Sequence, residues 1–309
     1  MKNGIDGSVI KSVAFKKASS AAWKILRFLI LLCIGFALVY PFLYMISSTF
    51  RGEEDIWNPT IVWITRHYTL GNLKATMVNM NYSSSLVFSL QISVVTALLQ
   101  CFMCAFAGYS FARYDFKLKG LLFGIVILTI IVPQQMYIIQ LFQIVKNLGL
   151  TDSAGAYWIQ ALFGVGIRSG LFIYIYRQNF RALPTDLEHA AAIDGCGAFG
   201  TYFKVMLPNA LNSFVVVFLF SFIWHWNEYF SAEIFTVHKR NIPQALYNLR
   251  TLLSAQLGGT SQAVAVTNPM ELQVWVEAGA LLSVLPVLIV FFLGQKFLRE
   301  GISRTGIVG

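Results

Sequence analysis

The sequence predicts an all-α membrane protein of six transmembrane helices with a helical loop on the cytoplasmic side, and three observations carry that expectation. Of its 309 residues 57% are hydrophobic and 12% charged, with a mean hydropathy of +0.64, whereas a soluble chain holds about 25% charged residues. Crossing a bilayer as helix takes roughly 20 apolar residues, and six such runs occur: Phe28–Phe50, Leu86–Ala112, Leu121–Phe142, Ala154–Tyr176, Ala210–Ala232 and Val276–Phe297. Threading the chain through six crossings puts fifteen Lys and Arg on the side of the two termini and seven on the other, with Arg168 inside a run. Positive charge accumulates in cytoplasmic loops. Both termini and the 178–209 loop are therefore expected in the cytoplasm, and the net charge of +9 reports topology rather than a nucleic-acid partner.

The expected organisation is a basic cytoplasmic tail over 1–27, one six-helix domain over 28–298, and a cytoplasmic tail over 299–309. The first run is too long, and too poor in small residues at its end, for a removable leader. Pro41 removes one backbone hydrogen bond within it and predicts a kink. The outer loop Arg51–Ser85 carries Trp57, Trp63 and Tyr68, amphipathic rings suited to the headgroup layer. The second run contains Cys101 and Cys104. A lone pair of thiols inside an apolar helix is a poor metal site, and both read as small buried hydrophobes.

The third run holds Pro133, Gln134, Gln135 and then Gln140, so this helix must face protein or a wet cavity. Arg168 in the fourth run needs a partner or water for the same reason. The fifth run ends in Trp226, Asn227, Glu228 and Tyr229, with His225 and Glu228 on one face at i, i+3. Gln134, Gln135, Trp226, Asn227, Glu228 and Tyr229 are the candidates for a polar solute path. Interhelical hydrogen-bonded packing accounts for them equally well, and both readings stay open at this point.

The polar segment Leu183–Pro208 stands apart from its apolar surroundings. Thr185 and Glu188 have the spacing of a capping box, Ala190, Ala191 and Ala192 propagate helix with a flat surface, and Gly195 and Gly197 are expected to stop it. A second short helix is expected from Phe199 to Met206, with Phe199, Tyr202, Phe203 and Met206 on one side and Pro208 ending it. Such a capped, small-surfaced element predicts a docking knob.

The same segment resembles the Glu-Ala-Ala loop of membrane subunits of ATP-binding-cassette importers. Ala190, Ala191, Gly195, Val205, Leu207 and Pro208 fall on that motif's spacing, while His189 stands where its glutamate is usual and Glu188 precedes it. Which of these two makes the motif's polar contact is left open by the spacing. Further matches run over nearly the whole chain: Tyr40-Pro41-Phe42, the Ala107–Arg113 stretch, Val132-Pro133, Gly149–Asp152, Trp226–Tyr229, and Glu277–Ala280 through Leu285–Val287 to Gly301–Gly309. Together they are similar to the MalG-type permeases of carbohydrate-uptake family 1.

That resemblance implies the type I importer permease fold in a bacterial cytoplasmic membrane. It implies a second, MalF-like permease, two ATPase subunits and an extracytoplasmic solute-binding protein as partners, with lipid around the spans and a sugar as the solute. Glu188, His189, Ala190, Ala191, Asp194, Gly195, Leu207 and Pro208 inherit the coupling role, and the tail Gly301–Gly309 a contact with the ATPase. No phosphate loop, metal-ligand cluster or catalytic constellation is found. The chain is thus expected to be no enzyme and to bind no cofactor, ATP and magnesium belonging to the partner. The competing reading is a proton-coupled secondary transporter using His225, Glu228 and Arg168 as a relay, but neither the inverted repeat nor the larger span number of such transporters is seen.

Overall fold

The computed structural model describes residues 7–58, 63–257 and 269–305. Nearly all of them are helical, and the strand-like element among them is one antiparallel bridge between Arg51 and Tyr68. The chain opens with α1 (Gly7–Thr49), which takes the basic tail from residue 7 onward and the first apolar run in one piece, Pro41 lying inside it. The segment expected outside the membrane follows with α2 (Glu53–Ile56) and α3 (Gly71–Asn79). The second run is α4 (Tyr82–Arg113), continuous through a π turn at Gln91–Val95.

The third run is two helices. α5 (Lys119–Ile131) stops at extended Val132, as a residue before proline favours, and after a 3-10 turn at Gln134–Met136 α6 (Ile138–Asn147) begins. The fourth run is broken as well, into α7 (Gly155–Leu162) and α8 (Ser169–Ala182). Arg168 forms that break at φ 60°, a left-handed conformation uncommon for a residue with a Cβ. The 183–209 loop carries α9 (Asp186–Ile193) and α10 (Ala198–Asn209), and α11 (Leu211–Trp226) leaves α10 at 76°. The chain then runs through α12 (Phe230–Phe235), α13 (Ile242–Leu257) and α14 (Pro269–Thr305).

Three helical stretches, Ala22–Thr49, Tyr82–Arg113 and Met270–Phe297, are therefore long and apolar enough to cross a membrane unbroken, and the bent pair α10–α11 makes up to four. The remaining runs reach membrane length only as broken helices. Proline, a left-handed arginine and polar side chains at the breaks belong where protein or water, not lipid, satisfies the freed backbone. Asn227 and Glu228 lie past the end of α11 rather than within it. The last helix continues through the expected cytoplasmic tail to Thr305; residues 306–309 lie outside the described ones, as do 1–6.

The core forms where α4 crosses α8. A Cβ on Gly108 would sit 2.6 Å from the Tyr176 Cβ and 3.0 Å from the Arg177 backbone nitrogen, so only glycine permits this approach. Around the crossing, Tyr109, Phe172, Tyr176, Phe180, Tyr202 and Met206 are buried together. Cys101 and Cys104 lie in the same cluster, their thiols directed at the carbonyls of Phe214 and Ser169. A short polar chain pins the fourth-run break: Gln100 Nε2 donates to Ser169 Oγ (2.8 Å) and to the Ile167 carbonyl (3.0 Å), and Ser221 donates to Gln100 Oε1. All three side chains are buried, and their mutual satisfaction removes the cost of burying them.

Outside the spans, Asp55 clasps the outer segment. Its Oδ2 accepts the backbone N–H groups of Arg66 (2.6 Å) and His67 (2.7 Å) and the Thr65 hydroxyl. The His67 N–H, with the Thr65 hydroxyl, holds this carboxyl far below the usual carboxylate range. The clasp is thus charged at neutral pH, and its contribution is lost only as acid protonates Asp55. Trp57 and Tyr68 are 56% and 73% exposed beside it.

Candidate functional site

Two places gather the candidate residues. The first is the loop α9–α10. α9 starts without the side-chain cap that the Thr185–Glu188 spacing predicts: Thr185 has helical backbone angles and caps nothing through its side chain. Its carbonyl takes the Glu188 and His189 N–H groups instead. The Glu188 carboxylate turns inward, accepting Tyr109 Oη–H at 2.7 Å and pairing with Arg113 Nε at 3.1 Å. Arg113 also donates to the Leu183 carbonyl at 2.6 Å. The capping box is therefore corrected: a charged, half-buried pairing with α4 outcompetes a local bond to a free N–H.

The end of α9 is as expected. Gly195 takes φ +78°, its N–H donates to the Ala192 carbonyl, and the Cys196 N–H reaches back to Ala191. This is the paired 6→1 and 5→2 bonding of a Schellman stop. Gly197 does not stop a helix; it starts α10, accepting the Thr201 N–H. The expected single face of the second helix is also corrected. Tyr202 and Met206 are buried, but Phe199 and Phe203 are 68% and 55% exposed, because Tyr202–Met206 is a π turn that rotates the faces. Pro208 lies one residue before the end of α10, as expected, and the chain bends after it, at Ala210.

The knob's surface is thereby settled. His189, Ala190, Ala192, Asp194 and Gly195 are exposed, while Ala191 is 4% exposed and packs inward. Ile193, 87% exposed, joins them and was missed. The signal available was its position three residues after Ala190 and four after His189, which is one helical face. Leu207 packs against the core and stands apart from the knob.

The second place is a cavity of about 350 Å³ lined by Gln134, Gln135, Tyr137, Arg168 and Glu228, with Thr129 and Pro133. It lies where the breaks of the third and fourth runs meet the segment after α11. Three of the six path candidates thus converge. The other three do not line it. Trp226 is buried, donates Nε1–H to the Ser283 carbonyl (3.1 Å) and stacks on Phe222, so it packs α11 on α14. Asn227 bonds back to the Ile223 carbonyl (2.9 Å), and Tyr229 packs on Tyr247. Arg168, expected from the sequence to need a partner or water, lines this cavity, and Tyr137 joins it without having been a candidate; the helix break at Arg168 is what turns it to the cavity.

The proton relay is not assembled. His225 is buried with Nδ1 2.8 Å from the Ser221 carbonyl, and Arg168 lies over the Trp224 ring at 5.6 Å. Glu228 accepts the Ser231 N–H at 2.7 Å. Among the described residues no ion pair joins Arg168 to Glu228, and no group of three or more His, Cys, Asp or Glu is arranged to hold a metal.

Comparison with known proteins bears on both places. The profile of a family described as the binding-protein-dependent transport system inner membrane component matches residues 104–304, which takes in the loop and the cavity. A probable ABC transporter permease protein, YurM of Bacillus subtilis, is 28% identical over 279 residues, covering 88% of this chain and 85% of that one. The polygalacturonan/rhamnogalacturonan transport system permease protein YtcP of the same organism is 26% identical over 280 residues, covering 90% and 96%. Among solved structures, a bacterial ABC transporter involved in the import of the acidic polysaccharide alginate superposes with a TM-score of 0.73 at 21% identity, over 90% of this chain and 97% of that one.

Proposed function

The chain belongs to the family of binding-protein-dependent transport system inner membrane components, and from that premise we propose how this member works. It is the permease subunit of an ABC importer, a membrane component without enzymatic activity of its own, ATP hydrolysis lying in separate subunits. Its cargo is a sugar or oligosaccharide, a reading supported by the carbohydrate named for YtcP. It sits in a bacterial cytoplasmic membrane with both termini cytoplasmic and six crossings, the third and fourth made by broken helices. Its partners are a second, MalF-like permease, two ATPase subunits that hold ATP and magnesium, and an extracytoplasmic solute-binding protein.

The observation that carries the mechanism is the Tyr109–Glu188–Arg113 tether. The exposed face of α9, namely His189, Ala190, Ile193 and Asp194 with Gly195 at its stop, meets an ATPase subunit. Glu188 holds that face to α4, and α10 carries it through the bend at Ala210 into α11. Movement of the knob is thereby passed to two spanning segments at once, as rigid-body motion between packed arrangements. The cavity bounded by Gln134, Gln135 and Glu228 is this subunit's share of the sugar path, its amides matched to hydroxyls.

The test is bulk or charge on the knob's outer face. Ala190→Trp and Ile193→Asp are expected to abolish sugar-stimulated ATPase activity in the reconstituted complex while leaving its thermal unfolding unchanged. Ala191 is unsuited to this test, since tryptophan there would disturb packing within the chain. Normal coupling with Trp at position 190 would remove the loop from the docking role.

A further inference from the structure

We propose that a recess at the outer end of the chain, between the α3–α4 corner and the segment leading into α13, binds a carboxylate-bearing sugar unit. The proposal rests on the carbohydrate-permease reading and names a substrate class within it. The recess encloses about 270 Å³ and is separate from the cavity at Glu228. That is below the roughly 300–1,000 Å³ of a drug-sized pocket and suits a single ring.

Its charge is of one sign. His238, Lys239 and Arg240 stand consecutively in its lining, and among the described residues no Asp or Glu lines it. Among the described residues neither Lys239 nor Arg240 forms an ion pair. The neighbouring carboxylate, Asp152, accepts the His238 backbone N–H at 2.7 Å and so fixes this part of the lining. A guanidinium beside an ammonium in a concave site calls for an anion, and a carboxylate matches the guanidinium fork with two bonds.

The rest of the lining calls for more than charge. Asn79, Asn81, Ser84 and Asn248 bring amides and a hydroxyl to it, groups that donate and accept as ring hydroxyls do, although Asn79 Nδ2 already donates to the Ala75 carbonyl. Phe88 and Leu249, 7% and 2% exposed, close the floor of the recess. A bare inorganic anion would use the cations alone; a polyhydroxylated acid uses the cations and the amides together.

The site is also held in shape before any ligand arrives. Asn241 and Gln244 bond each other reciprocally at 3.0 Å. Gln244 reaches the Thr236 carbonyl and Asn241 the Glu228 carbonyl. The Ile242 N–H donates to Ser89 Oγ at 2.7 Å, tying the segment to α4. Such preorganisation lowers the ordering cost of binding.

The experiment uses the assembled complex in lipid nanodiscs without the binding protein, and titrates trigalacturonate and its methyl ester by calorimetry. The ester keeps the ring and hydroxyls and loses the charge. Trigalacturonate should bind at least about tenfold more tightly than the ester, with an affinity that weakens as salt rises. The double substitution Lys239→Gln, Arg240→Gln should weaken trigalacturonate by about tenfold or more, and Asn248→Ala by a smaller factor, with unfolding temperature unchanged. Equal binding of acid and ester, binding of neither, or indifference to the double substitution would overturn the proposal. So would a double variant that keeps trigalacturonate affinity but loses ATPase stimulation by the binding protein, since the recess would then be a dock for an acidic protein surface. ATP-dependent uptake of a neutral oligosaccharide would persist in each of these cases if the permease reading holds, which separates its failure from that of the recess.

Discussion

Thr185 with Glu188 and Asn241 with Gln244 share one spacing at the start of a helix, yet only the second pair closes a reciprocal cap. Asn241 Oδ1 takes the Gln244 N–H and Gln244 Oε1 takes the Asn241 N–H, both side chains about 1% exposed. At the first pair, Thr185 caps nothing through its side chain and Glu188 binds Tyr109 and Arg113. The difference lies in what else each side chain can reach. Neutral amides buried beside their own N–H groups have no stronger offer. A carboxylate facing a tyrosine hydroxyl and a guanidinium does, because a charge-assisted bond is roughly twice as strong as a neutral one. Spacing proposes a cap; the surroundings accept or decline it.

The two pairs differ also in the face of the membrane assigned to them, and the largest test of the comparison is all-or-none. In a background lacking Cys196, cysteine at Lys239 should be labelled by an impermeant thiol reagent in intact cells, and cysteine at His189 only after the membrane is opened. The reverse pattern would invert the orientation and place the knob outside.

Next in size is the cost of breaking the cap that forms. Gln244→Ala strands the Asn241 N–H and the Thr236 carbonyl, and at about 1–3 kcal/mol for each stranded buried group the loss should reach about 2–6 kcal/mol. Chemical unfolding of the purified complex, followed by α13 protection in hydrogen exchange, reads it. A loss near zero would mean that the buried amides find other partners.

The smallest effects discriminate most sharply between cap and tether. Glu188→Ala should loosen the loop by about 1–3 kcal/mol, because it strands Tyr109 and a largely buried Arg113. Glu188→Gln should recover only part of this, since an amide keeps the Tyr109 bond and loses the ion pair. Thr185→Ala should change stability by less than about 0.5 kcal/mol, whereas loss of a working N-cap costs about 1 kcal/mol. A Thr185 effect as large as that of Glu188 would restore the capping box and refute the tether.

Much of this molecule could be read along the chain, and what could not has a common cause. The Gly195 stop was legible because a left-handed residue after an alanine helix has few other uses. Arg168 was legible as a buried-charge problem but not as a helix break, since no proline or glycine marks its position. Trp226 was a path candidate with interhelical packing equally open, and packing is what it does; its indole N–H belongs to Ser283, a partner 57 residues away that no local pattern announces. The Asn241–Gln244 cap went unread because it lies outside the apolar runs and the motif that drew attention to the first pair.

The apolar runs, the charge asymmetry and the glycine stop were determined by the sequence alone, because each is a property of a residue or a short window: length of hydrophobic surface, sign of charge, freedom at φ. Tertiary structure alone decided that Glu188 faces Tyr109, 79 residues away, so that His189 is left on the surface. It decided too that Gln134, Gln135 and Glu228 share one cavity with Arg168 while Trp226 turns to α14. A polar side chain in a membrane protein must find a partner or water, and which partner it finds depends on how distant helices pack, not on its neighbours in sequence.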